Sequence, residues 1–395
     1  MIKTERLYYN DCYLREFEAR VIASGHDPRG WRMVLDRTAF YPESGGQPAD
    51  HGTLSDVPVI DVIDEGDTVA HVLVRQLEGP SVKGQINWER RFDHMQQHTG
   101  QHILSAAFEK VGQYKTVSFH LGAGVSTIDL DSDRLTRRQM DEAEDLANQV
   151  IFENREVTIA FASAQKVAEL GLRKPTEREG EIRVVEVRDF DRSACGGTHV
   201  NNTGAVGMIL VRKFERLKGL TRVEFVCGGR ALRAARGDHA TLTEAARLFS
   251  GALENVPTLI SKQSEELRTA SRAREKLVKR LAEYEARELW SGTEEKGGRR
   301  IIRRAFAAED HDEAKMLAHA LARQPATVAL LGAKGKSAML FFAQSPGGGA
   351  DMSNILRQTA TKFGGKGGGS RDFAQGGGFA ETHLEEALEF AEGLL

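Results

Sequence analysis

His98-Thr99-Gly100-Gln101-His102 and, far downstream, Cys195-Gly196-Gly197-Thr198-His199 impose the strongest spatial condition on this chain. Two histidines four apart in a helical pattern share one face, one turn above the other, so both imidazoles reach a single ion. Two ligands hold a divalent metal poorly. The thiol and imidazole of the second motif, also four apart but in a glycine-loosened loop, complete a set of one thiolate and three imidazoles. That set suits zinc, one ion per chain. The metal then sits where a helix faces the ends of strands, an α+β arrangement.

Outward from the first motif, Asp93 reads as an N-cap with Gln96 completing a capping box, and Gly112 as the stop. Met95, Ile103, Leu104, Ala107, Phe108 and Val111 form the apolar stripe. His94 continues the face of His98 and His102, as a surface residue or as a partner that orients a ligand. Thr116 to Leu121 and Thr127 to Leu130 read as strands, and 135–154 as a helix from near Thr136. Ile182 to Val187 reads as a strand running straight into the Cys195 loop. Asn201 to Gly204 turns the chain, and Val206 to Val211 and Arg222 to Cys227 form a further strand pair. Cys227, in an apolar strand, reads as a small buried residue.

Upstream, residues 1–88 are short strands and turns, among them Trp31 to Leu35 and Val57 to Val62. Phe40-Tyr41-Pro42-Glu43-Ser44-Gly45-Gly46-Gln47-Pro48 is too rich in glycine and proline for a strand. It is either a tight connection or a loop whose bare backbone lets a ligand approach. His51 and His71 read as structural.

A chain of 395 residues exceeds one core, so two or three domains are expected. With 54 basic and 57 acidic residues, net −3, any polyanion must be met by a local patch. One stands out. From Arg212 to Arg236 eight basic residues (Arg212, Lys213, Arg216, Lys218, Arg222, Arg230, Arg233, Arg236) face only Glu215 and Glu224, a candidate phosphate-binding surface. Three scattered cysteines, Cys12, Cys195 and Cys227, argue for a reducing compartment. Met1 to Arg6 opens no apolar leader and no long apolar run follows, so a cytoplasmic protein without membrane attachment is expected.

From about 238 to 290 the pattern is one long helix, with Val256, Ile260, Leu267, Ala270, Leu277, Leu281 and Tyr284 as a seam broken by Gln263 and Arg274. The last hundred residues alternate strand and helix. Strands are read at Arg300 to Phe306, Thr327 to Gly332 and Ser337 to Ala343, and helices around 312–323, at Asp351 to Thr361 and from Thr382. Ahead of the last helix lies the glycine-rich segment Phe363 to Gly378, whose bare backbone and Lys362, Lys366 and Arg371 suit phosphates.

The paired metal motifs resemble those of the alanyl-tRNA synthetase editing domain and its free-standing relatives, the AlaX trans-editing deacylases. The Phe40 to Gln47 loop resembles the one preceding that domain, and Arg371-Asp372-Phe373-Ala374-Gln375-Gly376 resembles the synthetases' C-terminal domain. Nearly the whole chain is covered, in the order of the long AlaX type. The resemblance implies four parts: an N-terminal β-rich, barrel-like domain over 1–88, a zinc-dependent α+β editing domain over 89–240, a helical spacer over 241–292, and a C-terminal α/β, glycine-rich domain over 293–395 that binds tRNA or forms a homodimer. It implies hydrolysis of the ester joining serine, or glycine, to alanine tRNA, a second sieve that alanine selection needs.

Zinc ligands are then expected at His98, His102, Cys195 and His199. Oxyanion donors are expected at the Gly196 and Gly197 amides, and substrate contacts at Thr116, Ser118, His120, Gly45 and Gly46. Contacts with tRNA are expected at Arg212, Lys213, Arg216, Lys218, Lys366, Gly367, Gly368, Gly369 and Arg371. Two readings stand beside this one: a non-catalytic tRNA-binding protein braced by zinc, and a metallohydrolase of small-molecule esters.

Overall fold

The computed structural model describes residues 3–176, 180–307 and 311–395; Met1 and Ile2 of the N-terminal reading lie outside them. Two compact units result, Met1–Glu244 and Ala245–Leu395. In the first, β1 (Glu5–Arg6) pairs with β4 (Arg37–Thr38). Six further strands close a barrel: β2 (Glu16–Asp27), β3 (Gly30–Leu35), β5 (Gly52–Leu54), β6 (Val57–Asp64), β7 (Val69–Leu73) and β8 (Ser81–Ile86), in the order β2-β3-β7-β6-β5-β8. Closure leaves no unpaired edge. Period-two burial fills it, as in β8, where Val82, Gly84 and Ile86 point inward, and a side chain at Gly84 would collide with the Phe17 ring at 2.2 Å.

The helix bearing the two histidines, α1 (Trp88–Gly112), begins a turn and more before Asp93. Asn87 is the true cap, accepting the Arg90 N–H through its side chain. Asp93 lies inside the helix, bound to Arg230 at 2.7 Å, so its capping-box match was coincidental. From His94 to Phe108 nearly every residue is buried, whichever face it occupies. Ile103, Leu104 and Phe108 are fully buried, each contributing about 1.5–3 kcal/mol.

Beside α1 lies a sheet of β9 (Thr116–Leu121), β10 (Ser126–Leu130), β14 (Ile209–Leu217) and β15 (Leu220–Cys227), in the order β14-β15-β10-β9. A Cβ on Gly100 would sit 2.3 Å from the buried Cys227 sulfur, so glycine at the centre of the first motif sets how closely helix and sheet approach. Helix α2 (Arg137–Phe152) starts at Thr136 with a complete capping box. A smaller sheet holds β11 (Val157–Ser163), β12 (Glu181–Val187) and β13 (Asp191–Ala194), with α3 (Ala164–Glu169) after β11. The chain therefore does not run from β12 straight into Cys195. A turn with Asp189 in the left-handed region reverses it, and Cys195 follows β13. Likewise β14 starts at Ile209, because Thr203–Val206 forms a 3-10 turn.

The helical pattern over 238–290 is two helices, α4 (Gly228–Leu248) and α5 (Val256–Gly292). Ser250, in the left-handed region, ends the first, and Pro257 stands in the first turn of the second, where its missing N–H costs nothing.

In the second unit the sheet order is β16-β17-β18-β20-β19, formed by β16 (Arg300–Phe306), β17 (Thr327–Ala333), β18 (Ala338–Gln344), β20 (Phe373–Phe379) and β19 (Lys366–Gly369). α6 (His311–Leu321) and the end of α5 cover one face, with Ala329 and Leu331. α7 (Met352–Phe363) and α8 (Leu384–Glu392) cover the other, with Val328 and Leu330. The glycine-rich segment forms the β19–β20 hairpin. Gly367 pairs with Gly376, and a Cβ there would lie 2.5 Å from the opposite Cα, so bare backbone permits the pairing. Among the described residues no helix is long and apolar enough to cross a membrane.

Candidate metal centre

α1 presents His98 and His102, and the turn after β13 presents Cys195 and His199; their donor atoms all lie within 4.8 Å of one another. Cys195 Sγ is 3.4 Å from His98 Nε2 and 3.3 Å from His199 Nε2. A tetrahedral ion with bonds of about 2.3 Å to sulfur and about 2.0 Å to nitrogen separates such donors by about 3.5 Å. The four groups fit that ion.

What aims them is a shell of partners on the opposite ring nitrogens. His98 Nδ1 meets Gln47 Oε1 at 2.8 Å, His102 Nδ1 meets Asp191 Oδ2 at 3.1 Å, and His199 Nδ1 meets Thr99 Oγ1 at 3.1 Å. With Nδ1 engaged, each ring turns Nε2 toward the centre. Gln47 is itself held by Thr198, through its hydroxyl at 2.9 Å and its amide at 3.2 Å. Asp191 also accepts Arg173 Nε at 2.6 Å. Arg183 donates to the carbonyls of Cys195 at 2.7 Å and Gly197 at 3.0 Å, holding the loop. A Cβ on Gly197 would fall 2.2 Å from the His98 ring.

The electrostatics suit a cation. Burial alone would raise the Cys195 thiol; His98 and His199, with hydrogen bonds from His102 and His199, hold it well below its ordinary value. Burial pulls His102 down, yet Asp191 and Cys195 push it up to about 9. Burial lowers His199 to about 3. Thiolate, imidazolium and neutral imidazole thus balance one another, and a divalent ion would displace the proton on His102.

Two cavities flank the cluster. One, of about 170 Å³, is lined by Tyr8, Tyr9, Tyr41, Gly45, Cys195 and Gly196. The other, of about 290 Å³, is lined by Gln101, His102, Thr116, Ser118, Arg173 and Ser193. Thr116 Oγ1 lies 2.7 Å from Ser105 Oγ, which Gln101 Nε2 reaches at 2.8 Å. Ser118 donates to Asp129 at 2.7 Å. His120 is exposed and lines neither cavity. Gly46 lines neither; its carbonyl accepts the Leu121 N–H, and a Cβ would strike Phe119. The Gly197 amide is spent on Cys195 Sγ at 3.4 Å, which leaves only Gly196 of the two expected oxyanion donors.

Half of the basic stretch is spent as well. Arg212 pairs with Asp238, Lys213 with Glu215, Arg222 with Asp129 and Arg230 with Asp93. Arg216 and Lys218 lie on and after β14. Lys366, Gly367, Gly368 and Gly369 form the exposed edge strand β19 in the other unit, where Arg371 reaches the Gly349 and Ala350 carbonyls. Sequence reasoning missed Gln47, Asp191, Thr99 and Arg183 as positioning residues. Thr99, inside the first motif, and Gln47, inside the glycine loop of 40–48, lay in stretches with a local signal; Asp191 and Arg183 did not.

Residues 182–224 match the threonyl and alanyl tRNA synthetase second additional domain, and residues 297–395 the DHHA1 domain. The alanyl-tRNA editing protein AlaX-L of Pyrococcus horikoshii is 32% identical, with 98% of this chain and 97% of that protein covered. The chain belongs to this alanyl-tRNA editing protein family. The alanyl-tRNA editing protein Aarsd1 of Danio rerio is 35% identical over 57% of this chain and 59% of its own. The alanine–tRNA ligase of Pyrococcus abyssi is 32% identical across 100% of this chain, which spans 44% of the ligase.

Proposed function

We propose that the protein is a zinc-dependent hydrolase that deacylates mischarged alanine tRNA, clearing serine and glycine esters in trans. The observation that carries this reading is the three-imidazole, one-thiolate cluster with every imidazole oriented from behind, set between two cavities. His98, His102, Cys195 and His199 would hold the ion, which when bound would supply Lewis-acid polarisation of the ester. The chain's own residues do the remainder. Gln47, Thr99 and Asp191 fix the rings, so no reorganisation is needed as charge develops. Gly196 lines the tyrosine-lined cavity, where its amide would serve as an oxyanion donor. Thr116, with Gln101 and Ser105 behind it, offers hydroxyl and amide partners beside His102, which suits a side chain bearing a hydroxyl. Alanine lacks that group and leaves these partners unanswered, which separates serine from alanine; glycine lacks it too, so its ester is told from alanine's by size alone. On this reading the chain divides into an N-terminal barrel, an editing domain, a helical spacer and a C-terminal tRNA-binding or dimer-forming domain.

One observation favours a second reading. Four protein donors make a closed set, as in structural zinc sites, so a zinc-braced, non-catalytic tRNA-binding protein competes. Single-turnover release of amino acid from Ser-, Gly- and Ala-charged alanine tRNA, with intact protein and with His98→Ala, separates the two. Clearance of Ser- and Gly-tRNA with Ala-tRNA spared, abolished in a folded His98→Ala, supports the hydrolase. Binding without cleavage supports the brace.

A further inference from the structure

A cavity of about 940 Å³ opens along the first turns of α1, and none of the four metal donors lines it. Its size suits a small-molecule ligand of about 300–1,000 Å³. Trp88 and Phe92, ring centroids 5.5 Å apart, give it an aromatic wall. Arg90 lines it with its Nε spent on the Ala49 carbonyl at 3.0 Å, and Arg233 stands exposed at its mouth. Of the lining carboxylates, Asp93 is neutralised by Arg230 and Glu89 is exposed, so the lining keeps a net positive charge.

His94 is the telling residue. It is 3% exposed and lines this cavity, yet its Nδ1 has no hydrogen-bond partner. A buried polar atom left without a partner is costly. Its neighbours His98 and His102 have theirs supplied by the protein.

We propose that this cavity binds a nucleotide, the base against Phe92 and Trp88 and the phosphate on Arg90 and Arg233, with the His94 ring, whose Nδ1 is closed to solvent in this structure, turning to meet one edge of the base. Base–aromatic stacking and guanidinium–phosphate pairing are the interactions these residue types supply. Inorganic phosphate would leave the aromatic wall unused, and an apolar ligand would bury the arginines without partners. The cavity lies close to the metal cluster. Gln47 orients His98 while the adjoining Pro48 lines this cavity, and His94 and His98 are about 6 Å apart along the helix axis. The nucleotide is therefore either free or part of the 3′ end of an RNA whose terminal ester sits at the metal, and the second source rests on the deacylase reading.

The test is calorimetric titration of the full chain with CMP, AMP and inorganic phosphate, and separately with an uncharged RNA hairpin ending in CCA. Saturable nucleotide binding is expected, with inorganic phosphate weaker. Arg233→Ala, at an exposed position, should weaken it about tenfold. His94→Leu should weaken it as well while leaving Tm equal or higher. If hairpin binding falls in both variants and mononucleotides do not bind, the site takes an RNA nucleotide; if mononucleotides bind and the hairpin is unaffected, it takes a free one. The proposal is overturned if neither ligand binds, or if both variants bind as the parent does. Loss of ester cleavage with these titrations intact would sink the deacylase reading alone.

Discussion

His94 and His98 stand one turn apart on α1, both almost fully buried, and the protein treats them oppositely. His98 receives Gln47 on Nδ1 and points Nε2 at a cluster of donors; His94 receives nothing and faces a cavity. Spacing put both on one face. Partners from distant segments made one of them a candidate ligand, so identity as a ligand is a property of what meets the back of the ring. His71 in the barrel is a third case: Thr38 Oγ1 at 2.8 Å and the Met33 carbonyl at 3.2 Å engage both nitrogens, and it has no free atom for any ligand.

The sharpest way to break this contrast is to remove His98. His98→Ala should lower bound zinc from about one ion per chain to near zero, measured by elemental analysis, and slow ester cleavage about a thousandfold, the equivalent of several kcal/mol. Retention of zinc would show that the cluster is not the metal site.

His71 carries the next largest effect. Burial lowers its pKa from 6.5 to about 4, so the fold favours the neutral ring. Its contribution is fully present above pH 6.5 and is lost as pH falls toward 4, about 3 kcal/mol in all. Urea denaturation between pH 7 and 4.5 should show a steeper loss in the parent than in His71→Gln. Equal slopes would mean the ring protonates without cost.

Asp191→Asn keeps the shape behind His102 and removes the charge. Zinc affinity should fall about 10–100-fold, read by competition with a chelator. An unchanged affinity would reduce Asp191 to a scaffold for Arg173. The smallest effect belongs to His94→Leu, with zinc content unchanged and unfolding stability equal or raised by about 1 kcal/mol, because an unsatisfied buried atom disappears. A loss of zinc there would erase the distinction between the two histidines.

Much of the architecture was legible. The Thr136 cap, the strands at 116–121 and 300–306, and the alternation in the last unit are local signals, and each appears where its pattern lies. Local signals also misled. Asp93 satisfied a capping pattern inside a helix that Asn87 starts. The glycines of 366–378 read as bare backbone for phosphates, with no strand pairing, because composition says nothing of which strand a bare backbone will meet. The basic stretch read as a surface, yet three of its cations have carboxylate partners from outside it, Asp238, Asp129 and Asp93, and Lys213 pairs within it with Glu215.

By itself the sequence determined the donor types and their spacing, since four-residue periodicity on a helix and a glycine-loosened turn follow from backbone geometry alone. Only the tertiary structure decided which donors are oriented, which amide is spent on sulfur, and which histidine is left facing a cavity. Gln47, Asp191 and Arg183 lie far from the residues they position, and hydrogen bonds across such separations leave no periodic trace in the chain.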